Sequence, residues 1–394
     1  MASRAAGGAH ATAVAPPPSR GVCGLQTHGG GARALCAAGG DGSGEGGATG
    51  AAGSASRLIA ATLRLRGAPN TLLRLEHRAA AGTLTQVASY DHPHEVWDVA
   101  CAPGSGGDVI ATAYNDARAS SGGGGQRRRG ALWRMGDSAL EELCALESDA
   151  PVRRVAFDRS GATVAAVSDA AVATCDVATC KASGSGTRGG EPLAEIGAAA
   201  WDPHSDSNVG ATAGTSVWVW DTRANKRREA LSRAHAMRCR ALSFDPARQH
   251  RIATGGDDCR VRLWDLRHAA RPVEDFGGGG EGGHSHWVWN VAFNPRHESL
   301  LASSGSDGGV CLWYAPASGA TPAVPDDALP MSPMSPGAPG ETAGLACSYD
   351  VHEDSVYGLA WCEADEFAFC SLAYDGTAVV NDVPRATKYA ALQA

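Results

Sequence analysis

Residues 234–265 read AHAMRCRALSFDPARQHRIATGGDDCRVRLWD. The order is a loop His, an alternating strand, an Asp-Pro turn, a second strand, an Asp-rich tight turn and a third strand that ends in Trp264-Asp265. The same order returns as HSHWVWNVAFNPRHESLLASSGSDGGVCLWY at 284–314 and as HEDSVYGLAWCEADEFAFCSLAYDGTAVVND at 352–382. These copies predict a chain built from repeated small antiparallel sheets.

Three weaker copies precede the clear ones. They are HPHEVWDVACAP from His92 with its closing Trp133, VRRVAFDRSG from Val152 closing at Val177, and IGAAAWDPHS from Ile196 closing at Asp221. A spacing of ~40 to 45 residues is typical of the blades of a β-propeller. Six blades are therefore visible in the sequence.

A seventh blade is predicted upstream of His92. Residues 56–76, RLIAATLRLRGAPNTLLRLEH, contain two strands around a Pro-Asn turn, and VCGL at 22–25 is a candidate third strand of the same degenerate first blade. Joining the N-terminal strands to the C-terminal end would lock the ring and remove its exposed sheet edges. The sequence thus predicts an all-β fold, a single seven-bladed propeller over residues 21–389.

Four segments are predicted to lie outside the blades. They are a disordered N-terminal segment at 1–20, flexible insertions at 117–130 and 315–346, and a C-terminal tail at 390–394. No acidic residue precedes Asp41, and transit peptides are also poor in acidic residues, but no amphipathic stretch supports a transit peptide here.

Composition excludes several functional classes. The 34 basic against 42 acidic residues give a net charge of -8, which argues against nonspecific binding to nucleic acid or anionic lipid. The 12 cysteines show no C-x-x-C pair, so neither a zinc knuckle nor another metal or cofactor site is predicted. No apolar run approaches the ~20 residues needed to cross a bilayer, which predicts a soluble protein.

A set of polar residues recurs at fixed offsets in the clear repeats. His235, Thr254, Asp258 and Trp264 correspond to His284, Ser303, Asp307 and Trp313, and the last repeat has His352, Ser371 and Asp375 with Asn381 in place of the Trp. Such residues can form a hydrogen-bonded relay within a blade. Because an active site is needed once whereas this set repeats, we predict a structural role rather than a hydrolase triad.

A second set of residues recurs at a fixed step after the loop His, at the start of each innermost strand. Five residues after the loop His stand Trp97, Arg240, Trp289 and Tyr357, and Trp287 stands three residues after its own. Large aromatic side chains and Arg dominate interface hot spots, so these five residues are the predicted partner-binding surface. The alternative is that the rings only cover the loops of neighbouring blades. Motifs of nucleotide-binding, zinc-protease and serine-hydrolase sites were not found, which predicts a non-enzyme without a small-molecule substrate.

The Trp-Asp endings resemble those of WD-repeat β-propellers. Within that group, HSHWVWNV at 284–291, GDDCRVRLWD at 256–265, HEDSVYGLAW at 352–361 and AYDGTAVVNDVPRATKY at 373–389 resemble the EARP and GARP complex-interacting WD-repeat family. The resemblance implies a scaffold that associates with multisubunit tethering complexes in endosomal recycling and vesicle trafficking. It also implies a cytoplasmic location peripheral to endosomes and the trans-Golgi network.

A competing interpretation comes from the paired W-D-x-R sequences at 220–223 and 264–267. They resemble propellers that act as substrate receptors of cullin-RING ubiquitin ligases, in which case Arg223 and Arg267 would meet the adaptor. The simpler explanation is that each Arg caps its strand end and pairs with the preceding Asp.

The 315–346 insertion supplies a first test. We expect that it can be shortened without unfolding the ring, because loop closure depends only weakly on loop length. Limited proteolysis should cut there before it cuts anywhere between 201 and 313. A first cut inside the repeats would contradict the predicted blade boundaries.

Overall fold

The computed structural model describes residues 22–25, 31–40, 55–63, 70–116, 127–183, 187–188, 191–277, 283–316 and 343–393. Nearly all of the regular structure in these ranges is β-strand, arranged as seven antiparallel sheets, called blades here. Blade 1 consists of β2 (Gly31–Gly40), β3 (Ala55–Leu63), β4 (Asn70–Arg78) and β5 (Thr83–His92). Blade 2 consists of β6 (Glu95–Cys101), β7 (Val109–Asp116), β8 (Arg127–Met135) and β9 (Leu140–Leu146).

The middle blades follow the same order. Blade 3 consists of β10 (Val152–Phe157), β11 (Thr163–Ser168), β12 (Ala171–Asp176), β13 (Lys181–Ala182) and β14 (Thr187–Arg188). Blade 4 consists of β15 (Ile196–Trp201), β16 (Asn208–Ala213), β17 (Ser216–Asp221) and β18 (Lys226–Leu231). Blade 5 consists of β19 (Cys239–Phe244), β20 (Arg251–Gly256), β21 (Val261–Asp265) and β22 (Glu274–Phe276).

The last two blades complete the ring. Blade 6 consists of β23 (Val288–Phe293), β24 (Leu300–Gly305), β25 (Val310–Tyr314) and β26 (Gly344–Tyr349). Blade 7 consists of β27 (Val356–Trp361), β28 (Ala368–Ala373), β29 (Thr377–Asp382) and, as its outer strand, β1 (Val22–Gly24). The first strands of successive blades contact one another, and β27 of blade 7 contacts β2 of blade 1. The fold is therefore a closed seven-bladed β-propeller, which confirms the predicted fold class.

The pairing of the chain ends closes the ring. Val22 pairs with Val379 and Gly24 with Thr377, and the amide of Leu25 donates to the carbonyl of Gly376 at 2.9 Å. The prediction that VCGL belongs to the first blade is wrong, because this segment pairs with β29 of blade 7. Blade 1 has four strands of its own. Its inner strand, GARALCAAGG, is too rich in Gly and Ala to stand out as a strand in the sequence.

Three predicted boundaries need correction. The insertion at 117–130 is shorter than predicted, since β8 begins at Arg127. The insertion at 315–346 ends earlier, since β26 begins at Gly344, and a shortened variant must keep this strand. Residues 390–393 are not a free tail but the end of α1 (Arg385–Gln393), whose Ala391 packs against the apolar core of blades 6 and 7. The predicted disordered segment at 1–20 lies outside the described residues, as do 117–126 and 317–342.

The second strand of a blade is buried on both faces. Every residue of β24 and of β28 is buried, because these strands lie between neighbouring blades on both sides. The outer strand β5 instead alternates exposed residues with buried or half-buried ones. Within the described part of the chain, no helix is long and apolar enough to span a membrane.

Candidate functional site

The structure brings the four predicted relay residues of blade 5 together. The His235 ring contacts Asp258 through Nδ1 at 2.7 Å and Thr254 Oγ1 through Nε2 at 2.8 Å. Trp264 donates its indole N–H to the same Thr254 oxygen at 2.9 Å. Asp258 also accepts bonds from the Ala236 amide and from the Arg262 guanidinium. The relay joins the loop before the blade to its second and third strands.

Blade 6 repeats the arrangement. His284 contacts Asp307 at 3.2 Å and Ser303 at 2.8 Å, and Trp313 donates to Ser303 at 2.7 Å. Burial alone would lower the pKa of His284, but the hydrogen bonds and charge interactions with Asp307 and Cys311 together outweigh it and raise that pKa to about 9. The blade therefore holds an imidazolium–carboxylate pair at neutral pH.

Blade 7 forms only part of the relay. His352 contacts Ser371 at 2.7 Å, and Asn381 donates to Ser371 at 2.9 Å in place of the Trp. Asp375 instead is exposed and accepts the amide of Thr377 at 2.7 Å. Without a carboxylate on its ring, His352 has its pKa lowered by burial to about 4.

A glycine distinguishes blades 5 and 6 from blade 7. In blades 5 and 6 the residue two before the relay Asp is Gly256 or Gly305, and a Cβ there would come within 2.7 Å of the His235 ring or 2.6 Å of the His284 ring. In blade 7 the same position holds Ala373. In blades 5 and 6 the ring therefore occupies space that a side chain at this position would fill.

Blade 2 contains a relay that the sequence pattern did not predict. His92 contacts Thr112 at 3.3 Å, and Trp133 donates to Thr112 at 2.8 Å. The insertion before β8 places this Trp 21 residues after the Thr rather than 10, which hides the pattern. Asp116 stands four residues after Thr112, where blades 5 and 6 have the relay Asp, and it contacts His94 at 3.8 Å and Arg129 at 3.4 Å.

The predicted partner-binding residues share one local geometry. In the first strands of blades 2, 5, 6 and 7 the register of pairing skips one residue near the start, and the skipped residues are Trp97, Arg240, Trp289 and Tyr357. A β-bulge re-aims the side chain of the unpaired residue. The fixed step after the loop His is therefore a repeated bulge, and Arg153 is its counterpart in blade 3, where no loop His marks the register.

Blades 5 to 7 bring together four of the predicted partner-binding residues, all except Trp97, and add Tyr374 to them. The Arg240 guanidinium carbon lies 4.7 Å from the centre of the Trp287 ring and 4.3 Å from that of Trp289. Trp289 contacts Tyr357 at 4.7 Å between ring centres, and Tyr357 contacts Tyr374 at 5.9 Å. We call these five residues the aromatic cluster. None of them belongs to the buried hydrophobic cores, and Trp287 and Tyr374 are 36% and 38% exposed.

Trp97 is not part of the aromatic cluster. Its ring stacks under Arg128 at 4.3 Å. Trp97 and Trp289 line the same cavity, of about 370 Å³, at the mouth of the ring. The remaining lining residues are Arg128, Arg153, Arg154, Glu195, Ile196, Gly197, Arg238 and Arg240. We call this space the mouth cavity.

Arginine dominates the mouth cavity. Arg153 binds Asp169 with its Nη2 at 2.6 Å, and Arg154 binds Asp98 at 3.2 Å. Arg240 forms a two-pronged ion pair with Asp257. Burial raises the pKa of Asp98, and the nearby Arg154 opposes that shift. Three guanidinium groups are thus held in place by carboxylates below the cavity surface.

The predicted site residues did not include Tyr374 of the aromatic cluster or four arginines of this cavity, namely Arg128, Arg153, Arg154 and Arg238. Arg128 fell within the predicted insertion, and Arg153 and Arg154 lie in a weak repeat without a loop His. Only Arg238, at the third position after its own loop His, carried a usable signal. Among the described residues, no group of three or more His, Cys, Asp or Glu side chains is arranged to hold a metal ion.

The two adaptor candidates lie apart from this site. Arg267 is exposed and binds Asp265 of its own turn at 2.6 Å. Arg223 is also exposed, and its backbone amide donates to Asp221 at 3.0 Å. The pairing of Arg267 with the preceding Asp matches the simpler explanation of W-D-x-R.

Comparison with known proteins assigns the chain. The profile of the EIPR1 β-propeller matches residues 31–313. The chain belongs to the EIPR1 β-propeller family. It is 32% identical over 328 residues to "EARP and GARP complex-interacting protein 1" of Macaca fascicularis, covering 75% of this chain and 82% of that protein. It is 39% identical over 202 residues to "EARP-interacting protein 1" of Caenorhabditis elegans, covering 50% and 54% respectively.

A plant protein is also similar. "WD repeat-containing protein DWA2" of Arabidopsis thaliana is 34% identical over 186 residues, which cover 47% of this chain and 48% of that protein. The EIPR1 β-propeller profile takes in Arg240, Trp287 and Trp289 but ends before Tyr357 and Tyr374. The aromatic cluster thus extends from the family's matched region onto blade 7.

The blade 5 relay gives a stability prediction. We expect Asp258→Ala to lower the free energy of unfolding by about 1 to 3 kcal/mol, because His235, Ala236 and Arg262 lose their acceptor. Asp375→Ala is the matched control and should cost less than about 1 kcal/mol, since Asp375 accepts one backbone bond. Denaturant titration measures both, and equal losses would contradict the relay.

The histidines give a pH prediction. The pKa of His284 is raised from its ordinary 6.5 to about 9, so the stability that this histidine adds to the fold is complete below pH 6.5 and is lost as pH rises through 9. The pKa of His352 is lowered from 6.5 to about 4, so the stability associated with this histidine is complete above pH 6.5 and is lost as pH falls through 4. NMR titration of labelled histidines should resolve the two. Asp307→Asn should bring the His284 pKa below its ordinary value, and joint titration of both rings in the unmodified chain would disprove this assignment.

Proposed function

We propose that this chain is a non-enzymatic WD-repeat scaffold that binds the EARP and GARP tethering complexes and supports endosomal recycling and vesicle trafficking. The observation that carries the proposal is the match, over most of both chains, to relatives named for interaction with these complexes. The proposed partners are protein subunits, with no nucleic acid, inserted membrane segment or small-molecule substrate. The proposed location is cytoplasmic, at the periphery of endosomes and the trans-Golgi network.

The aromatic cluster is the proposed contact surface. Its rings lie outside the hydrophobic cores, yet Trp289 is held between Arg240 and Tyr357, so little side-chain entropy remains to be lost on binding. Rigid aromatic side chains with an Arg are the residue types that dominate binding energy at protein interfaces. The bulges supply the common orientation, because each places its side chain off the strand ladder.

A double substitution tests the contact surface. We expect Trp289→Ala with Tyr357→Ala to abolish co-purification of EARP and GARP subunits from cells, through a loss of several kcal/mol at a hot spot. The melting temperature should hardly change, because these rings cover no core. If the rings instead stabilise neighbouring loops, the melting temperature will fall by many degrees and binding will be lost only through unfolding.

Two controls accompany this experiment. Tyr389→Ala removes an exposed aromatic ring outside the cluster and should leave co-purification intact. Arg223→Ala with Arg267→Ala should also leave it intact, whereas the ubiquitin-ligase interpretation requires this pair to bind a cullin adaptor. A folded double-arginine variant that loses the tethering subunits would contradict the proposed binding surface.

A further inference from the structure

The mouth cavity collects positive charge from three blades. Arg128 comes from blade 2, Arg153 and Arg154 from blade 3, and Arg238 and Arg240 from the start of blade 5. Glu195, which is exposed, is the acidic residue in the lining. Like charges this close repel one another, so the arrangement needs carboxylates or a bound anion.

Arg238 forms no ion pair within 4 Å and no strong hydrogen bond with the described residues. Arg238 makes a single weak contact, from its Nη2 to the carbonyl of Ile196 at 3.5 Å, and its Nε has no hydrogen-bond partner among the described residues. Burial lowers its pKa and the neighbouring Arg240 lowers it further, while the charges of Glu195 and Asp257 only partly oppose this shift. An oxyanion in the cavity would satisfy this guanidinium and reduce the repulsion around it.

The charge balance limits the charge of the anion, and the cavity volume limits its size. The five arginines are opposed by Glu195 and by three carboxylates that already bind them, namely Asp98, Asp169 and Asp257. One net positive charge remains, which matches a single carboxylate better than a polyphosphate. A volume of about 370 Å³ admits one or two side chains and excludes a folded domain.

The neighbouring surface indicates what carries that carboxylate. Trp289 lines the mouth cavity and also belongs to the aromatic cluster, so the two sites are continuous. Exposed parts of Trp287 and Tyr374 lie farther out in that cluster. A ligand that spans both sites needs an anionic group joined to apolar groups, as in a short peptide.

We propose that the mouth cavity binds an acidic side chain, Asp or Glu, from a short peptide segment of the partner, while apolar residues beside it in that segment pack on the aromatic cluster. This inference rests on the proposed function. Arg238 receives the carboxylate at its guanidinium group, and the arginines held by Asp169, Asp98 and Asp257 shape the cavity around it.

An array of short overlapping peptides that tile the EARP and GARP subunits tests the proposal directly. The purified full chain is applied to this array and to a matched array with Asp→Asn and Glu→Gln throughout. We expect binding to a discrete peptide that weakens by about tenfold or more in the amide version and in Arg238→Gln. Arg238→Lys should restore part of the affinity because it keeps the charge. Arg228→Gln, which removes an exposed arginine of β18, should change nothing.

Three results of the array experiment would overturn the proposal. They are the absence of any bound peptide, equal binding to the acidic and amide arrays, and unchanged binding by a folded Arg238→Gln variant. Displacement of the peptide by inositol hexakisphosphate but not by a soluble acidic peptide would also overturn it, in favour of a phosphate ligand. Co-purification from cells separates the two hypotheses: if the chain captures the subunits and the arrays show no acid dependence, only this inference fails. If it captures no subunits, the proposed function fails as well.

Discussion

Every blade depends on the blades on either side of it. A four-stranded sheet with two apolar faces cannot be stable alone in water, and a ring is the arrangement that covers both faces of all seven. The contact between blades 7 and 1 shows this dependence, since one core joins Leu58 and Leu73 of blade 1 to Leu372 and Val380 of blade 7. The pairing of β1 with β29 holds that contact from both ends of the chain.

Close approach between blades also requires glycine at particular positions. A Cβ at Gly255 would lie 2.6 Å from the Val288 side chain of the next blade, and one at Gly358 would lie 2.6 Å from Leu35. Glycine at these two positions is therefore required by packing. The same requirement applies within a blade, where Gly256 and Gly305 make room for the relay histidines.

The relay and the mouth cavity show two uses of a repeated scaffold. The relay repeats because each blade needs its loop tied to its own strands, and it weakens where the Asp contacts other groups instead of the loop His. The mouth cavity arises once, because bulges at the same place in several first strands point different side chains toward one shared space. Trp97, Arg153 and Trp289 occupy equivalent bulges, yet the cavity has one asymmetric set of charges and rings.

Local sequence determined the number of blades, the relay residues of blades 5 and 6, and the register of Trp97, Arg240 and Trp289, because a period and a fixed offset are properties of the chain itself. Tertiary structure decided the rest. The place of VCGL in blade 7 depends on pairing between strands more than three hundred residues apart. The missing contact between His352 and Asp375 depends on where the turn places Asp375, whose carboxylate accepts the amide of Thr377. The convergence of five arginines depends on ring closure, which brings residues of separate blades to the same cavity and has no counterpart in sequence spacing.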